Sequence, residues 1–527
     1  MDSTRVASGL LLRGRSLTFP ARGPVLSSSA LGQLIARLGA AAPLAALLGV
    51  ALAARLYSQP GISLYPDSYE FLLAARRLNP LADVAATMGA NGDLWSIPFH
   101  RVGLTLIAAP ISTFPNGVSA LAFAAGLLQG PVLYLLLSRF TNSRLASFLV
   151  ALVVATSFSA VAWSRLPMSE STALLLAIVS ILLLLLAIER GHPLKAAAAA
   201  AAFALLLTTR VELILLLPGL LILPWSLGKP GAFPRVFQLL AGSCLLWLAT
   251  AALLTVALAD NMRELNGGLW AVLQANVLDP ARAESGFSSG LTTFASREVP
   301  LLGLAGLGAA MSIAGRDRRG LAAALLIALP LALYATRDDF RYYLYLVPGL
   351  SLMAAIGLER LPSATAQSKP SAFSLPRLAL PGVIAVLLVS GAVWQAPRLS
   401  EAWHPETAYE EEAARSVSLV LSQTGIADDA VICAPRAEAY YLETGRSVRH
   451  LLPDSPDSCF EGLPAGRDVI IVEDAVVQAS WRDGLPHAIE ARNPRLIATV
   501  PSPGLLIVGE EHYLAVNPIR VFHLSSP

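Results

Sequence analysis

Charged residues are scarce in this sequence: of its 527 residues, only 14% are Asp, Glu, Lys or Arg. An ordinary soluble domain carries about 25%. Hydrophobic residues make up 55% of the chain, so most of it is expected to lie in lipid. The net charge is +2, and the basic residues fall in short loops without a long basic stripe. Nucleic acid is therefore not an expected partner.

Cysteine is rare as well, with three residues and no CxxC or Cys/His spacing. The sequence therefore indicates neither a zinc site nor a redox motif. Cys244 lies in an apolar run and is interpreted as a small packing residue. Cys433 and Cys459 both fall in the more polar C-terminal part, where they can pair as a disulfide if that part faces an oxidising compartment.

The N-terminal residues 1–37 contain no short apolar segment with a small-residue cleavage site, so no removable signal peptide is predicted. They are rich in Arg and Ser and almost free of acid, a composition shared with organellar transit peptides. The simpler interpretation is a cytoplasmic tail.

Apolar stretches of near-spanning length recur from residue 38 to residue 397. A helix needs about 20 mostly apolar residues to cross the hydrocarbon core. The sequence predicts about eleven spans, near residues 38–56, 118–138, 145–163, 171–188, 196–209, 211–225, 236–259, 299–315, 321–336, 342–358 and 379–397. The two spans that flank Arg210 could instead form one interrupted hairpin.

Lys and Arg indicate the orientation, because cytoplasmic loops are enriched in them. With the N-terminus inside, the inner segments hold more Lys and Arg than the longer outer loops. An odd number of spans then places the C-terminus outside. The sequence thus predicts a multi-pass protein of the cell (inner) membrane. Most acidic residues lie in or beside the outer loops, which indicates a polar chemical site on the outer face.

The composition changes near residue 398 to that of a soluble domain. A predicted helix (TAYEEEAARSVSLVLSQTG) precedes the strand-like runs AVICA, DVIIVED, RLIATV, LLIVGE and YLAVN, with a helix-like PRAEAYYLETG among them. This pattern predicts a small α/β sandwich. The predicted fold is an α-helical polytopic membrane protein: a tail over 1–37, a transmembrane domain over 38–397, and an extracytoplasmic α/β domain over 398–527.

The first outer loop, about residues 57–117, contains two segments with helical apolar spacing, YEFLLAARRL and IPFHRVGLTLIAAPISTF. Both are predicted to be amphipathic helices along the membrane surface. The second is too short and too strongly bounded by proline to be a span.

Four polar motifs at the outer ends of the spans are candidates for chemistry. The first holds Asp67, Tyr69 and Glu70. An acid just beyond a helix end is well placed to act as a general base on an incoming hydroxyl; the alternative is a loop acid that caps the next helix. The second holds Arg165 and Glu170. Either the Arg165 guanidinium and the Glu170 carboxylate bind substrate, or the two form an interfacial ion pair.

The third motif holds Arg210 and Glu212 between two apolar runs. Charges there are costly unless they pair or face a cavity, so a site and a structural ion pair are equally good interpretations. The fourth motif is an outer turn with Arg337, Asp338, Arg341 and Tyr342. Arginine binds phosphate by paired hydrogen bonds, but interfacial anchoring by tyrosine and flanking charges is an alternative.

Together these motifs resemble the GT-C superfamily of membrane glycosyltransferases, which includes protein O-mannosyltransferases and the lipid A aminoarabinose transferase. The resemblance covers roughly residues 38–360. It rests on PDSYEFLLAARRL after the first span, MSEST in place of a "SEP"-like turn, TTRVE in place of a "TRPE"-like element, and RYYLYLVP before a late span. Departures are Asp67-Ser68 instead of an acidic pair, and Thr172 and Val211 where proline is frequent. These departures disfavour an obligatory divalent metal.

The resemblance implies transfer of a hexose or pentose from a polyprenyl-phosphate donor to an extracytoplasmic acceptor, by in-line displacement with inversion. Asp67 is the implied base for the acceptor hydroxyl. Arg165, Arg337 and Arg341 are the implied phosphate ligands, and Glu170 and Glu212 the partners of sugar or acceptor hydroxyls. Tyr69, Glu70, Arg210, Asp338 and Tyr342 complete the predicted substrate-binding set.

Three alternatives remain open at the level of sequence: a secondary transporter, a polymerase or ligase of surface glycans, and a non-enzymatic assembly protein. Transporters usually place ionisable groups near the middle of the membrane and often contain internal repeats. Here the charges cluster at loop ends, and no repeat between the halves is evident.

Replacement of the predicted base by an amide gives the first test. We expect Asp67→Asn to abolish most sugar transfer in purified membranes, because an amide cannot accept the proton of the acceptor hydroxyl. Transfer at the wild-type rate would remove Asp67 from the mechanism.

Overall fold

The computed structural model describes residues 30–57, 71–73, 75–76, 97–98, 102–112, 117–166, 168–190, 193–257, 262–263, 289–334, 340–367, 409–435, 437–451, 456–460, 463, 466–474, 477–478, 481, 485–501, 505–508, 511–514 and 518–524. Its first two thirds form a helical bundle. The helices are α1 (Ala30–Tyr57), α2 (Val102–Ala108), α3 (Gly117–Phe140), α4 (Arg144–Thr156), α5 (Phe158–Trp163), α6 (Ser169–Arg190), α7 (Pro193–Thr209), α8 (Leu217–Ser226), α9 (Phe233–Ala257), α10 (Ser289–Arg297), α11 (Val299–Ala314), α12 (Arg319–Tyr334) and α13 (Val347–Gln367). Short 3₁₀ turns precede α8 (Val211–Leu216) and α13 (Phe340–Leu346).

Apolar helices lie at ten of the predicted span positions, and they differ in length. Within the described residues, four are long and apolar enough to cross a membrane: Gly117–Phe140, Ser169–Glu189, Pro230–Leu253 and Arg341–Leu361. Six shorter apolar helices accompany them: Ala41–Tyr57, Arg144–Thr156, Pro193–Thr209, Val211–Ser226, Val299–Ala314 and Arg319–Ala332. The predicted span at 379–397 lies outside the described residues, so the total of eleven stays a prediction.

One predicted span is interrupted. The sequence predicts a single helix over 145–163, but the structure ends α4 at Thr156 and starts α5 at Phe158. Ser157 between them is extended (φ −66°, ψ 147°), and its side chain accepts a hydrogen bond from the amide of Ala160. Because serine is a strong N-cap, it starts a new helix where an apolar residue would have continued the old one.

Charged residues form two separate clusters at opposite ends of α13. At the end predicted to be cytoplasmic, Arg319 lies 2.8 Å from both Asp317 and Glu359, and Arg360 lies 2.8 Å from Asp317. Burial by itself raises the pKa of Asp317, but the hydrogen bonds from Arg319 outweigh it and hold that pKa below its usual range. These pairs join the α11–α12 turn to α13. The cytoplasmic assignment of this end rests on the Lys and Arg distribution.

The first predicted outer loop packs against the bundle where it is described. Residues 71–73 and 75–76 are helical, and Phe71 belongs to the main core of the bundle. Helix α2 is too short to span and packs on α7. A Cβ on Gly103 of α2 would lie 2.5 Å from Thr208 Oγ1 and 2.8 Å from the amide nitrogen of Thr209. The two helix backbones are therefore in direct contact close to Arg210.

A mixed five-stranded sheet follows the bundle, with strand order β4-β3-β5-β9-β6. Its strands are β3 (Val431–Ala434), β4 (Val448–His450), β5 (Val469–Glu473), β6 (Arg495–Val500) and β9 (Ile519–Leu524). Three helices accompany it: α14 (Tyr409–Thr424), α15 (Ala437–Thr444) and α16 (His487–Glu490). Two further pairs of strands are β1 (Ile97–Pro98) with β2 (Met262–Arg263), and β7 (Leu505–Val508) with β8 (Glu511–Leu514). The first pair joins two predicted outer loops.

Side chains from alternate positions of the five-stranded sheet enter two apolar cores. Ile432, Ile470 and Val521 belong to the core that includes α14 and α15. Cys433 and Ile471 belong to the core on the other face. Leu73 of the first outer loop joins the α14–α15 core, so this loop contacts both the bundle and the sheet.

In the C-terminal part, the structure has a strand at each of the five predicted runs, one of them shifted along the chain, and it has two strands that were not predicted. The sequence analysis missed β4 and β9, and it placed a strand at YLAVN where the structure has β8 over Glu511–Leu514. Strand β4 has only three residues, too few for a periodic pattern. Strand β9 carries Arg520 and His523 between apolar residues, yet it lies between β5 and β6 and pairs antiparallel with both.

Cys433 of β3 is joined to Cys459 as a disulfide, with their Cα atoms 6.1 Å apart. This separation is usual for the bond. Cys244 is a free thiol in α9.

The disulfide gives a test of both the pairing and the compartment. In denatured, unreduced protein, we expect a polymeric maleimide to label one thiol, Cys244, and to label three after reduction, because disulfides persist only in an oxidising compartment. Cys244→Ala should show no label before reduction. Three labelled thiols without reductant would contradict the extracytoplasmic assignment of the sheet.

Candidate active site

Three polar motifs that are far apart in sequence meet at the end of the bundle opposite the Asp317 cluster. The first turn of α6 supplies Ser169 and Glu170, Arg210 lies between α7 and the next 3₁₀ turn, and that 3₁₀ turn supplies Glu212. The 3₁₀ turn Phe340–Leu346 supplies a third group. Arg210 is extended (φ −153°, ψ 98°), and this break in the backbone separates α7 from the following turn.

The Glu170–Arg210 ion pair is the centre of this arrangement. Both side chains have no solvent exposure, and Arg210 Nη2 donates a hydrogen bond to Glu170 Oε1. Arg210 Nε donates to Ser169 Oγ at 2.8 Å. Arg210 Nη1 lies 3.8 Å from Glu212 Oε1. A buried guanidinium stays charged and needs such partners, so Arg210 fixes two carboxylates relative to each other.

A second arginine approaches the same carboxylate from the 3₁₀ turn. Arg341 Nε lies 4.0 Å from Glu170 Oε1, and its side chain is 10% exposed. Its Nη2 donates to Tyr342 Oη at 3.1 Å, with Arg341 Cζ 4.9 Å from the centre of that ring. Arg210 Cζ lies about 6 Å from the rings of Tyr342 and Tyr345. The tyrosines therefore line both cations, and Arg341 is the more accessible of the two.

Five predicted site residues are thus in one cluster: Glu170, Arg210, Glu212, Arg341 and Tyr342. Arg165 is half-buried in the turn that links α5 to α6. The other predicted residues lie outside the described residues: Asp67, Tyr69, Glu70, Arg337 and Asp338.

Two members of the cluster were not singled out from the sequence. Ser169 bonds Arg210 and also lies 3.4 Å from Glu170 Oε2. The sequence feature that could have identified Ser169 is a small hydroxyl residue next to an acid in the first turn of a helix. Tyr345 belongs to the motif RYYLYLVP, but an all-aromatic turn does not show which ring faces the arginines.

Comparisons with known proteins give structural matches only. No protein-family model and no curated protein sequence matches the chain. The crystal structure of ArnT from Cupriavidus metallidurans bound to undecaprenyl phosphate is similar over 93% of this chain and all of its own, with a TM-score of 0.58 and 14% identity. Its apo structure gives 0.60 and 13%. The Archaeoglobus fulgidus oligosaccharyltransferase in complex with Zn and sulfate gives a TM-score of 0.51 and 13% identity, over 89% of this chain and 73% of its own.

ArnT is the lipid A aminoarabinose transferase, and both enzymes belong to the GT-C superfamily. The chain therefore has the GT-C fold of polytopic membrane proteins, as the sequence motifs indicated. At this level of identity the likeness shows the fold alone.

Removal of one partner of the central pair should destabilise the protein strongly. We expect Arg210→Met to cost about 3–5 kcal/mol, because it leaves the Glu170 carboxylate buried without its main partner. The measurement is the apparent melting temperature in detergent. The double variant Glu170→Leu/Arg210→Met should recover part of the loss, since the Glu170 charge is then no longer buried without its main partner, whereas Glu212 still lacks its contact with Arg210.

The exposed Arg144 at the start of α4 provides the control, because surface substitutions usually change stability by under about 0.5 kcal/mol. An Arg210→Met variant as stable as Arg144→Gln would show that the buried pair is not the anchor of this end of the bundle.

Proposed function

We propose that this chain is an integral membrane glycosyltransferase that moves a sugar from a polyprenyl-phosphate donor to an extracytoplasmic acceptor, with inversion at the anomeric carbon. The observation that carries the proposal is the Glu170–Arg210–Arg341 cluster at one end of a bundle with the GT-C fold. The undecaprenyl phosphate bound to ArnT supports a donor of this lipid class.

Arg341 is the proposed ligand of the donor phosphate. Its side chain is 10% exposed and its Nε lies 4.0 Å from Glu170, so it is the arginine of this cluster that a donor phosphate can reach from solvent. Arg210 is held by shorter contacts and is fully buried. We assign Arg210 to the positioning of Glu170 and Glu212, and Arg341 to the charge of the departing polyprenyl phosphate. Arg165 and Arg337 are proposed as further phosphate ligands.

The proposed reaction is one displacement. The acceptor hydroxyl attacks the anomeric carbon as the bond from that carbon to the phosphate oxygen breaks. Asp67 takes the hydroxyl proton, and the bond electrons leave with the phosphate. Glu170 and Glu212 hold hydroxyls of the sugar or the acceptor, and Tyr69, Glu70, Asp338 and Tyr342 complete the binding surface.

The carboxylate at the centre of the cluster does not suit a metal ion. Glu170 already forms an ion pair with Arg210 and lies near Arg341. A metal ion bound to Glu170 would have to displace the Arg210 guanidinium. Among the described residues, no three His, Cys, Asp or Glu side chains are grouped closely enough to hold a metal. The proposal assigns stabilisation of the leaving phosphate to the arginine side chains.

The assignment of Arg341 predicts a kinetic defect. With undecaprenyl-phosphate sugars as donors, Arg341→Gln should lower kcat/KM for the donor by about 10- to 100-fold. This corresponds to the loss of a charged hydrogen bond worth about 1.5–3 kcal/mol. The assay is transfer by purified protein across a panel of sugars, with Arg144→Gln as the matched loss of a cation at the other end of the bundle.

Equal kcat/KM for Arg341→Gln and Arg144→Gln would remove Arg341 from the phosphate site. Uptake of a labelled solute by proteoliposomes, with no transfer from any donor, would favour a transporter over the proposed enzyme.

A further inference from the structure

The break between α4 and α5 lies within the bundle and exposes backbone groups that a continuous helix would satisfy. The Ser157 side chain accepts from the Ala160 amide at 3.3 Å, and the Ser157 amide donates to Val154 O at 3.2 Å. Free amides and carbonyls still remain at a break, and in a membrane protein they need internal partners. Two charged side chains from other helices supply them.

Arg55 of α1 supplies donors to the carbonyls. It is 1% exposed, and its guanidinium donates to Ala155 O and Ala160 O, both at 3.2 Å. Its Nε donates to Ser164 Oγ at 2.7 Å. Ala155 belongs to α4 and Ala160 to α5, so this one side chain joins both sides of the break and the turn that follows.

Glu298, at the start of α11, supplies the acceptor. It is 1% exposed, and its Oε1 accepts from the Ser159 amide at 2.8 Å. The neighbouring Arg297 lies over the ring of Phe158, with Cζ 4.2 Å from the centre. Burial raises the pKa of Glu298 to about 7, although the hydrogen bonds from Ser159 and Ser157 lower it. A carbonyl-type oxygen accepts the amide with or without the charge, so glutamine is a close substitute.

Helix α3 closes over the same contacts. A Cβ on Gly126 would lie 2.2 Å from Ser164 Cβ and 2.9 Å from Arg55 Nε. Gly126 therefore has no room for a side chain. The methyl group of an alanine there would displace Ser164 or Arg55 and disturb the hydrogen bond between them.

The turn after α5 leads straight to the candidate active site. The Arg165 amide donates to Ala162 O at 3.1 Å, and the Met168 amide donates to Leu166 O at 2.7 Å. Leu166 and Met168 are buried. Because α6 begins at Ser169, a shift of α5 is passed through this short buried turn to Glu170.

We propose that Arg55 and Glu298 are positioning residues that hold the α4–α5 break from opposite sides and thereby fix the turn that carries Glu170 into the site. Their effect on transfer rests on the proposed function, whereas their effect on the turn does not.

Thiol reactivity measures the turn without any enzymatic assay. In a Cys244→Ala background, Met168→Cys reports on the turn, and Ala187→Cys, also buried, reports on the other end of α6. We expect Arg55→Met to raise the maleimide reactivity of Cys at 168 by at least about tenfold and to leave Cys at 187 unchanged. Arg55→Lys, which keeps a cation with three donors, should give an intermediate rate.

Two other variants approach the same turn from different helices. Glu298→Ala should raise reactivity at 168, whereas Glu298→Gln should stay close to the parent protein because it keeps the acceptor. Gly126→Ala should raise it as well, and it makes the test if Arg55→Met does not fold. Unchanged reactivity at 168 in Glu298→Ala and Gly126→Ala would overturn the proposal. An equal rise at 168 and 187 would also overturn it, since that pattern is global unfolding.

Transfer kinetics complete the experiment. With the turn displaced, kcat should fall by at least about tenfold, because Glu170 no longer holds the reacting groups in place, and Glu298→Gln should keep the parent kcat. If reactivity at 168 rises as expected but the parent protein transfers no sugar, the positioning role of Arg55 and Glu298 is supported and the proposed function fails.

Discussion

The high cost of burying charge in a membrane protein determines how this end of the bundle is built. An arginine and a glutamate with no solvent exposure are stable only as partners, and Arg210 meets Glu170 by joining the end of α7 to the start of α6. This pair brings together chain segments that are far apart in sequence. Ser169, Glu212 and the tyrosines of the 3₁₀ turn then surround the charges. Removal of either partner would leave the other charge buried alone, so the helix ends must stay in register.

The same constraint separates two kinds of arginine. Arg55 and Arg210 are fully buried, and their N–H groups are engaged by backbone carbonyls, serine hydroxyls and a carboxylate. They are suited to hold helices in place. Arg341 keeps partial exposure and a longer contact with Glu170, and it is suited to exchange that partner for a phosphate. In the proposed enzyme, the buried Arg55 and Arg210 thus hold the helices in place, and the more accessible Arg341 contacts the substrate.

The sequence allowed several of these features to be predicted because each has a local signal. A charged Arg-Val-Glu between apolar runs predicted a helix boundary with either a structural ion pair or a functional charge, and the structure shows the boundary and the ion pair at Arg210. Arg55 had no such signal: it sits near the end of an apolar helix, and its partners lie about a hundred residues away in α4 and α5. The α4–α5 break was missed because a serine in an apolar run also suits a continuous span. Strand β9 was missed because its place in the middle of the sheet depends on long-range pairing with β5 and β6. Asp67, Arg337 and Asp338 stay predictions from motif alone.

Binding of the sugar-free lipid tests the central claim without knowledge of the sugar or the acceptor. Purified protein in detergent is titrated with undecaprenyl phosphate, and the apparent melting temperature is recorded for the parent, Arg341→Gln and Arg144→Gln; undecaprenol serves as the uncharged control lipid. A ligand at about 100 times its Kd stabilises the folded state by about 2.7 kcal/mol. The account predicts this stabilisation for the parent and Arg144→Gln, a fall to about 0.4–1.4 kcal/mol in Arg341→Gln for a 10- to 100-fold higher Kd, and none with undecaprenol. Equal stabilisation of all three proteins, or by both lipids, would contradict a phosphate site at the Glu170–Arg210–Arg341 cluster.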